Sequence, residues 1–175
     1  MDPVVHWLMR GGLALLLAAA AIAKLRQPRD FHGVLLAYRL LPSRVVPAFA
    51  RLLPWVEAGL AVGLLAGLPA AWPVAAALLL AYAAAMAINL GRGRREIDCG
   101  CGGAPQPLSG WLVGRNLLLA VAAVGAWLMP PAARPIGTAD AMTVLAALLG
   151  CALLYAAAHQ LLANAPRHRA LLEHG

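Results

Sequence analysis

An all-α polytopic membrane bundle is the fold class this sequence predicts, and three observations carry that expectation. Hydrophobic residues make up 62% of the 175 and charged residues 12%, about half the usual charged share of a soluble domain. Five stretches, residues 4–23, 52–68, 72–90, 111–129 and 141–163, approach the roughly 20 apolar residues needed to cross a bilayer. Alanine and leucine dominate each stretch. Both favour helix, and a helix satisfies its own backbone in lipid where an open sheet cannot. The expected organisation is a four-helix membrane domain over residues 1–130, followed by a further transmembrane helix and a short basic tail over residues 131–175.

The elements can be justified in chain order. The first stretch reads as a span rather than a signal peptide, because Asp2 is the one charge before Arg10 and no basic region precedes it. Arg10, within the first two turns of that stretch, is expected to snorkel toward the headgroups. The next loop is basic, with Lys24, Arg26, Arg29, Arg39, Arg44 and Arg51. Within it a short interfacial helix is expected over residues 31–41, capped by Asp30 and stopped by Pro42. Phe31, Val34, Leu35 and Tyr38 form its apolar face.

The second span carries Glu57, whose burial in lipid would cost roughly 2.5–3.5 kcal/mol on insertion scales without a partner. Arg115, near the start of the fourth span, is the expected partner. Gly59, Gly63 and Gly67 are spaced by four and suggest a close helix contact. Asn89 and Asn116 suggest interhelical hydrogen bonds. Trp7, Trp55, Trp72, Trp111 and Trp127 lie near span ends, as an interfacial aromatic belt would.

A net charge of +7 would suggest nucleic acid in a soluble protein. Here the basic residues gather in particular loops, which is the signature of membrane orientation, and no aromatic-interleaved basic patch exists. Counting them places the N-terminus outside, with the loop above and the loop containing Arg92, Arg94 and Arg95 on the cytoplasmic side.

The segment that could carry chemistry follows the third span: Ile97-Asp98-Cys99-Gly100-Cys101-Gly102-Gly103. Two thiols one residue apart close only a small, strained disulfide ring, and strained disulfides are easily reduced. Gly100 and Gly102 allow backbone angles closed to other residues. Neighbouring arginines, Arg115 among them, would favour a thiolate, whereas an ionised Asp98 would oppose it. Thiol–disulfide redox is the leading expectation, with Cys99 and Cys101 as reactive groups and Asp98, Glu57, Arg115, Asn116, Gly100 and Gly102 in support. Soft-metal carriage by the two thiolates stands second, and a scaffold that assembles a partner without turnover stands third. Two sulfurs with no histidine in the loop do not make a closed zinc site, so no metal is assigned. Cys151, among apolar residues of the fifth stretch, is expected to be a packing residue. The five histidines make no ligand pattern, and no cofactor motif is evident.

Several of these residues together resemble a known family. Arg92-Gly-Arg94, Ile97-Asp98-Cys99-Gly-Cys101-Gly-Gly103, Gln106, Leu108-Ser109 and Arg115-Asn116 are similar to the methylamine-utilisation membrane proteins of MauE type. Lys24, Phe31, Tyr38, Leu41-Pro42, Leu53-Pro54, Glu57 and Gly59 add to the likeness. That family is related to DoxX-like membrane proteins and distantly similar to vitamin K epoxide reductase and the quinone-linked disulfide-forming membrane enzymes. The resemblance implies a multi-pass protein of the bacterial cytoplasmic membrane that helps disulfide formation in, or maturation of, a partner protein. In the case that names the family, the partner is the small subunit of methylamine dehydrogenase. A thioredoxin-like or cysteine-rich protein is the expected partner, and electrons would leave or enter through it or through a quinone in the bilayer.

Overall fold

The computed structural model describes residues 1–100 and 106–173, with side chains of the last helix given to 154 and at 156, 157 and 160. Six helices follow one another: α1 (Pro3–Arg26), α2 (Pro28–Tyr38), α3 (Val46–Leu65), α4 (Ala71–Gly91), α5 (Gly110–Leu128) and α6 (Thr138–Glu173). Among the described residues there is no strand, and one isolated antiparallel bridge joins Asp98 and Pro107. Helices α1, α3, α4 and α5 are long and apolar enough to cross a membrane. The apolar described part of α6, Thr138–Leu154, is shorter.

Local chemistry explains the ends. Asp2 caps α1, its Oδ1 accepting from Val4 N at 2.8 Å, and Pro3 fills the first turn, where its missing N–H costs nothing. Helix α2 starts at Pro28, earlier than expected, for the same reason. Asp30 lies inside its first turn and makes no side-chain cap; a carboxylate there still complements the helix dipole. The stop is Arg39 in the left-handed region, φ 50°, three residues before Pro42. Helix α3 begins at Val46, six residues before the expected apolar run, because Pro47 suits a first turn and Arg51 is tolerated near the helix start.

Helix α3 ends in a Schellman turn: Gly67 N donates to Leu64 O at 3.0 Å and Leu68 N to Gly63 O at 2.9 Å, with Gly67 at φ 80°. This corrects the reading of the glycine stripe. Gly67 serves the turn against Arg10 and Gly59 faces open space; Gly63 lies close to the Ala71 side chain.

The main packing is α1 on α3 and α4 on α5, with α6 against α1. Leu13, Leu17, Leu60, Leu64, Trp72 and Leu79 form the central core. Alanines at 14, 75, 76, 120 and 123, all buried, let the backbones approach closely. Leu15, Leu52, Val62, Leu118 and Val121 point outward, as a lipid-facing surface requires. The aromatic belt needs one correction. Trp7, Trp55, Trp111 and Trp127 are exposed, but Trp72 is buried and packs on His6 with ring centroids 5.2 Å apart. Arg10 lies 4.6 Å over the Trp7 ring, beside the Gly67 turn.

Candidate functional site

The site is built on one end of the bundle, where α1 and α4 finish and α3 and α5 begin. Helix α4 ends in a second Schellman turn, with Gly93 N on Leu90 O at 2.9 Å and Arg94 N on Asn89 O at 3.0 Å. The chain then runs out through Arg95–Cys99 and back through Gln106–Leu108. Cys99 N donates to Gln106 O at 2.9 Å, and Leu108 N donates to Arg95 O and Ile97 O at 3.0 and 3.1 Å. Leu108 is buried with Tyr38, Met86 and Leu112, and Ile97 and Cys99 pack on that cluster.

Three contacts fix the thiol-bearing segment. Tyr38 Oη donates to Cys99 O at 3.0 Å, tying it to α2. Gly100 N donates to Asp98 Oδ1 at 3.0 Å, so the Asp98 carboxylate braces the turn. Gly100 has φ 69°, and a Cβ there would stand 3.0 Å from Val34 Cγ1. Glycine is favoured on both counts. Cys99 itself is half-buried. Cys101 and Gly102, the other members of the motif, lie outside the described residues.

Beneath the loop lies a cavity of about 980 Å³ with walls from all six helices. Cys99, Gly100, Glu57, Arg115 and Asn116 all line it. The structure thus gathers most of the expected site residues around one space, but it pairs them differently. Glu57 is fully buried and its carboxylate is held by Lys24 Nζ at 2.6 and 2.9 Å and by Tyr82 Oη at 2.6 Å. Lys24, not Arg115, is its ionic partner. The reason is geometric: Lys24 is in the last turn of α1, the helix packed most extensively on α3.

The asparagines also depart from expectation. Asn116 Nδ2 donates to Leu112 O of its own helix at 2.8 Å, and Asn89 Nδ2 to Ala85 O of its own helix at 3.1 Å. Asn89 Oδ1 in turn accepts from Arg94 Nη1 at 3.3 Å, so this arginine braces the foot of the loop. Cys151 is exposed on α6 and lines the same cavity as Cys99, so it is not the buried packing residue expected. Tyr82 was missed in the sequence. It is one of two polar side chains in the stretch 72–90 other than its leading tryptophan, and that was the signal available. Lys24 was visible but read as a marker of orientation.

Chemically, the arrangement offers a braced cysteine at the wall of an apolar chamber, with a buried ammonium–carboxylate–phenol group in the same wall. These features define a class: a polytopic helical membrane protein whose loop presents a cysteine to an intramembrane cavity. Comparison with known proteins gives the family. The family model "Methylamine utilisation protein MauE" matches residues 2–129, and the chain belongs to that family. The methylamine utilization protein MauE of Methylorubrum extorquens is 48% identical over 164 residues, covering 87% of this chain and 88% of that protein. Its counterpart in Paracoccus denitrificans is 45% identical over 163 residues, 90% of this chain and 87% of that protein. The Paracoccus versutus protein is 44% identical over 171 residues, 95% and 92% of the two chains. No solved structure matches the chain.

Proposed function

We propose that this protein is a thiol–disulfide redox protein of the bacterial cytoplasmic membrane that assists disulfide formation in a partner protein during methylamine utilisation. The observation that carries the reading is the bracing of Cys99. Tyr38, Gln106 and the Asp98–Gly100 turn hold it at the cavity wall, whereas a loop cysteine without a task needs no such support. Cys101 is the second sulfur of the pair. A thiolate of the partner attacks the Cys99–Cys101 disulfide; one sulfur–sulfur bond breaks and a mixed disulfide forms. The partner's second thiolate then attacks the mixed disulfide and displaces the cysteine still bonded in it. The partner leaves oxidised, and the Cys99–Cys101 pair is left as the dithiol. Residues 1–130 form the redox unit, and α6, from the following segment 131–175, adds part of the cavity wall. The small subunit of methylamine dehydrogenase, a disulfide-rich protein, is the partner the family resemblance suggests.

Trapping tests this. Single Cys99→Ser and Cys101→Ser variants, expressed with the partner, are expected to accumulate a mixed disulfide that reductant dissolves. Thiol labelling across a series of thiol/disulfide buffers, on a Cys151→Ala background, should show the pair switching between labelled and protected. Full labelling under every oxidising buffer with no trapped adduct defeats the reading. Stoichiometric binding of a soft metal under those conditions would put carriage in its place.

A further inference from the structure

The cavity has a composition unlike the rest of the bundle. Both phenylalanines of the chain and two of its three tyrosines line it: Phe31, Phe49, Tyr38 and Tyr82. The remaining lining is largely aliphatic. Its volume of about 980 Å³ lies at the upper end of the 300–1,000 Å³ typical of small-molecule sites. Into this apolar space the fold brings a buried ammonium, at the cost of desolvating both Lys24 and its partner Glu57. Lys24 has three N–H donors, and its bonds to the Glu57 oxygens leave one available.

A guest suited to these walls is apolar, flat and an acceptor of hydrogen bonds. A cationic guest finds its place taken, because Lys24 Nζ already lies 5.3 Å from the Phe31 ring centre and 5.5 Å from that of Tyr82. An acyl chain would satisfy the aliphatic wall but has no use for the ammonium.

We propose that the cavity is a binding site for a lipid-soluble quinone, with Lys24 donating to a ring carbonyl and the aromatic residues supplying flat contact surfaces beside Cys99. The proposal rests on the thiol–disulfide role for its purpose, and it names the electron acceptor that role requires. The dithiol of Cys99 and Cys101, on closing to a disulfide, gives up two electrons and two protons. Reduction of a quinone to its quinol consumes that number of each, so no other oxidant is needed. The helices that wall the cavity include the four long and apolar enough to cross a membrane, which suits a guest that dissolves in the bilayer.

The test uses the full chain in phospholipid nanodiscs and an azido-substituted decyl-benzoquinone as photolabel, with decylubiquinone as competitor. The expected result is saturable, competable labelling of peptides from α1, α2 and α4. Ala20→Phe places a ring in the cavity and leaves the Lys24–Glu57 pair intact; labelling should fall. Removing the pair together, Lys24→Met with Glu57→Met, leaves neither partner as an uncompensated charge and should weaken binding about tenfold, the worth of one charge-assisted hydrogen bond. Label spread without competition over the outer faces of all helices overturns the site, as does labelling undiminished in Ala20→Phe. Cysteines that cycle without saturable labelling defeat the quinone site alone. Saturable labelling with cysteines that never leave the dithiol state defeats the redox role alone.

Discussion

At the scale of single residues, Glu57 is the most constrained side chain. It is fully buried, with a cation on one side and a phenol on the other. Replacing Lys24 with methionine leaves that carboxylate uncompensated and is expected to destabilise the protein by about 3–5 kcal/mol, the usual result of halving a buried pair. Tyr82→Phe removes one charge-assisted bond and should cost about 1.5–3 kcal/mol. The Lys24→Met/Glu57→Met protein should be more stable than Lys24→Met alone. Thermal unfolding of the three variants in one detergent gives the order. A result in which the double variant is the least stable would mean the pair is not acting as a unit. The need for a partner to Glu57 was legible in the sequence, because charge in lipid is costly wherever it sits. The partner's identity was not, since Lys24 and Glu57 are 33 positions apart and only the packing of α1 on α3 selects lysine over arginine.

At the scale of elements, spans were readable from hydropathy, and their ends were not. Hydropathy stops at the first charge, whereas a helix stops where its terminal N–H and C=O groups find other partners. Pro28 and Pro47 therefore start α2 and α3 inside a basic segment, and Gly67 and Gly93 end α3 and α4 by left-handed turns. The Cys99 segment is likewise held by a backbone rule: Gly100, at φ 69° and 3.0 Å from Val34 in Cβ terms, cannot carry a side chain in place. The glycines of the motif were legible as permissive, but the contact with α2 that makes Gly100 obligatory depends on tertiary packing. Gly100→Ala is expected to strain the turn by about 1–2 kcal/mol and to lift the segment off α2. The alkylation rate of Cys99, measured on a Cys101→Ser/Cys151→Ser background, should rise several-fold while the thermal midpoint of the bundle scarcely moves. An unchanged rate would show that the brace does not control access to the thiol.

At the scale of the whole molecule, the two ends of the bundle differ in charge and in purpose. The hydrogen bond from Tyr38 to Cys99 O places α2 and the cysteine segment at one end, and that end carries the basic loops. At the other end Arg134 is paired with Asp140 at 2.9 Å and lies 3.7 Å from Asp2. Its guanidinium is held above the usual arginine range, chiefly by the Asp140 hydrogen bond. That end therefore presents little net positive charge to oppose orientation. The positive-inside rule then predicts the cysteine end at the cytoplasmic face, although a partner matured in the periplasm would meet the opposite end. Single cysteines introduced on a Cys99→Ser/Cys101→Ser/Cys151→Ser background test the orientation directly. Arg44→Cys, beside α2, should react with a membrane-impermeant maleimide only after the cells are opened, and Ala133→Cys should react in intact cells. The reverse pattern would place the thiols at the periplasmic face. The partner would then reach them directly, and the basic loops would have to be explained by something other than topology.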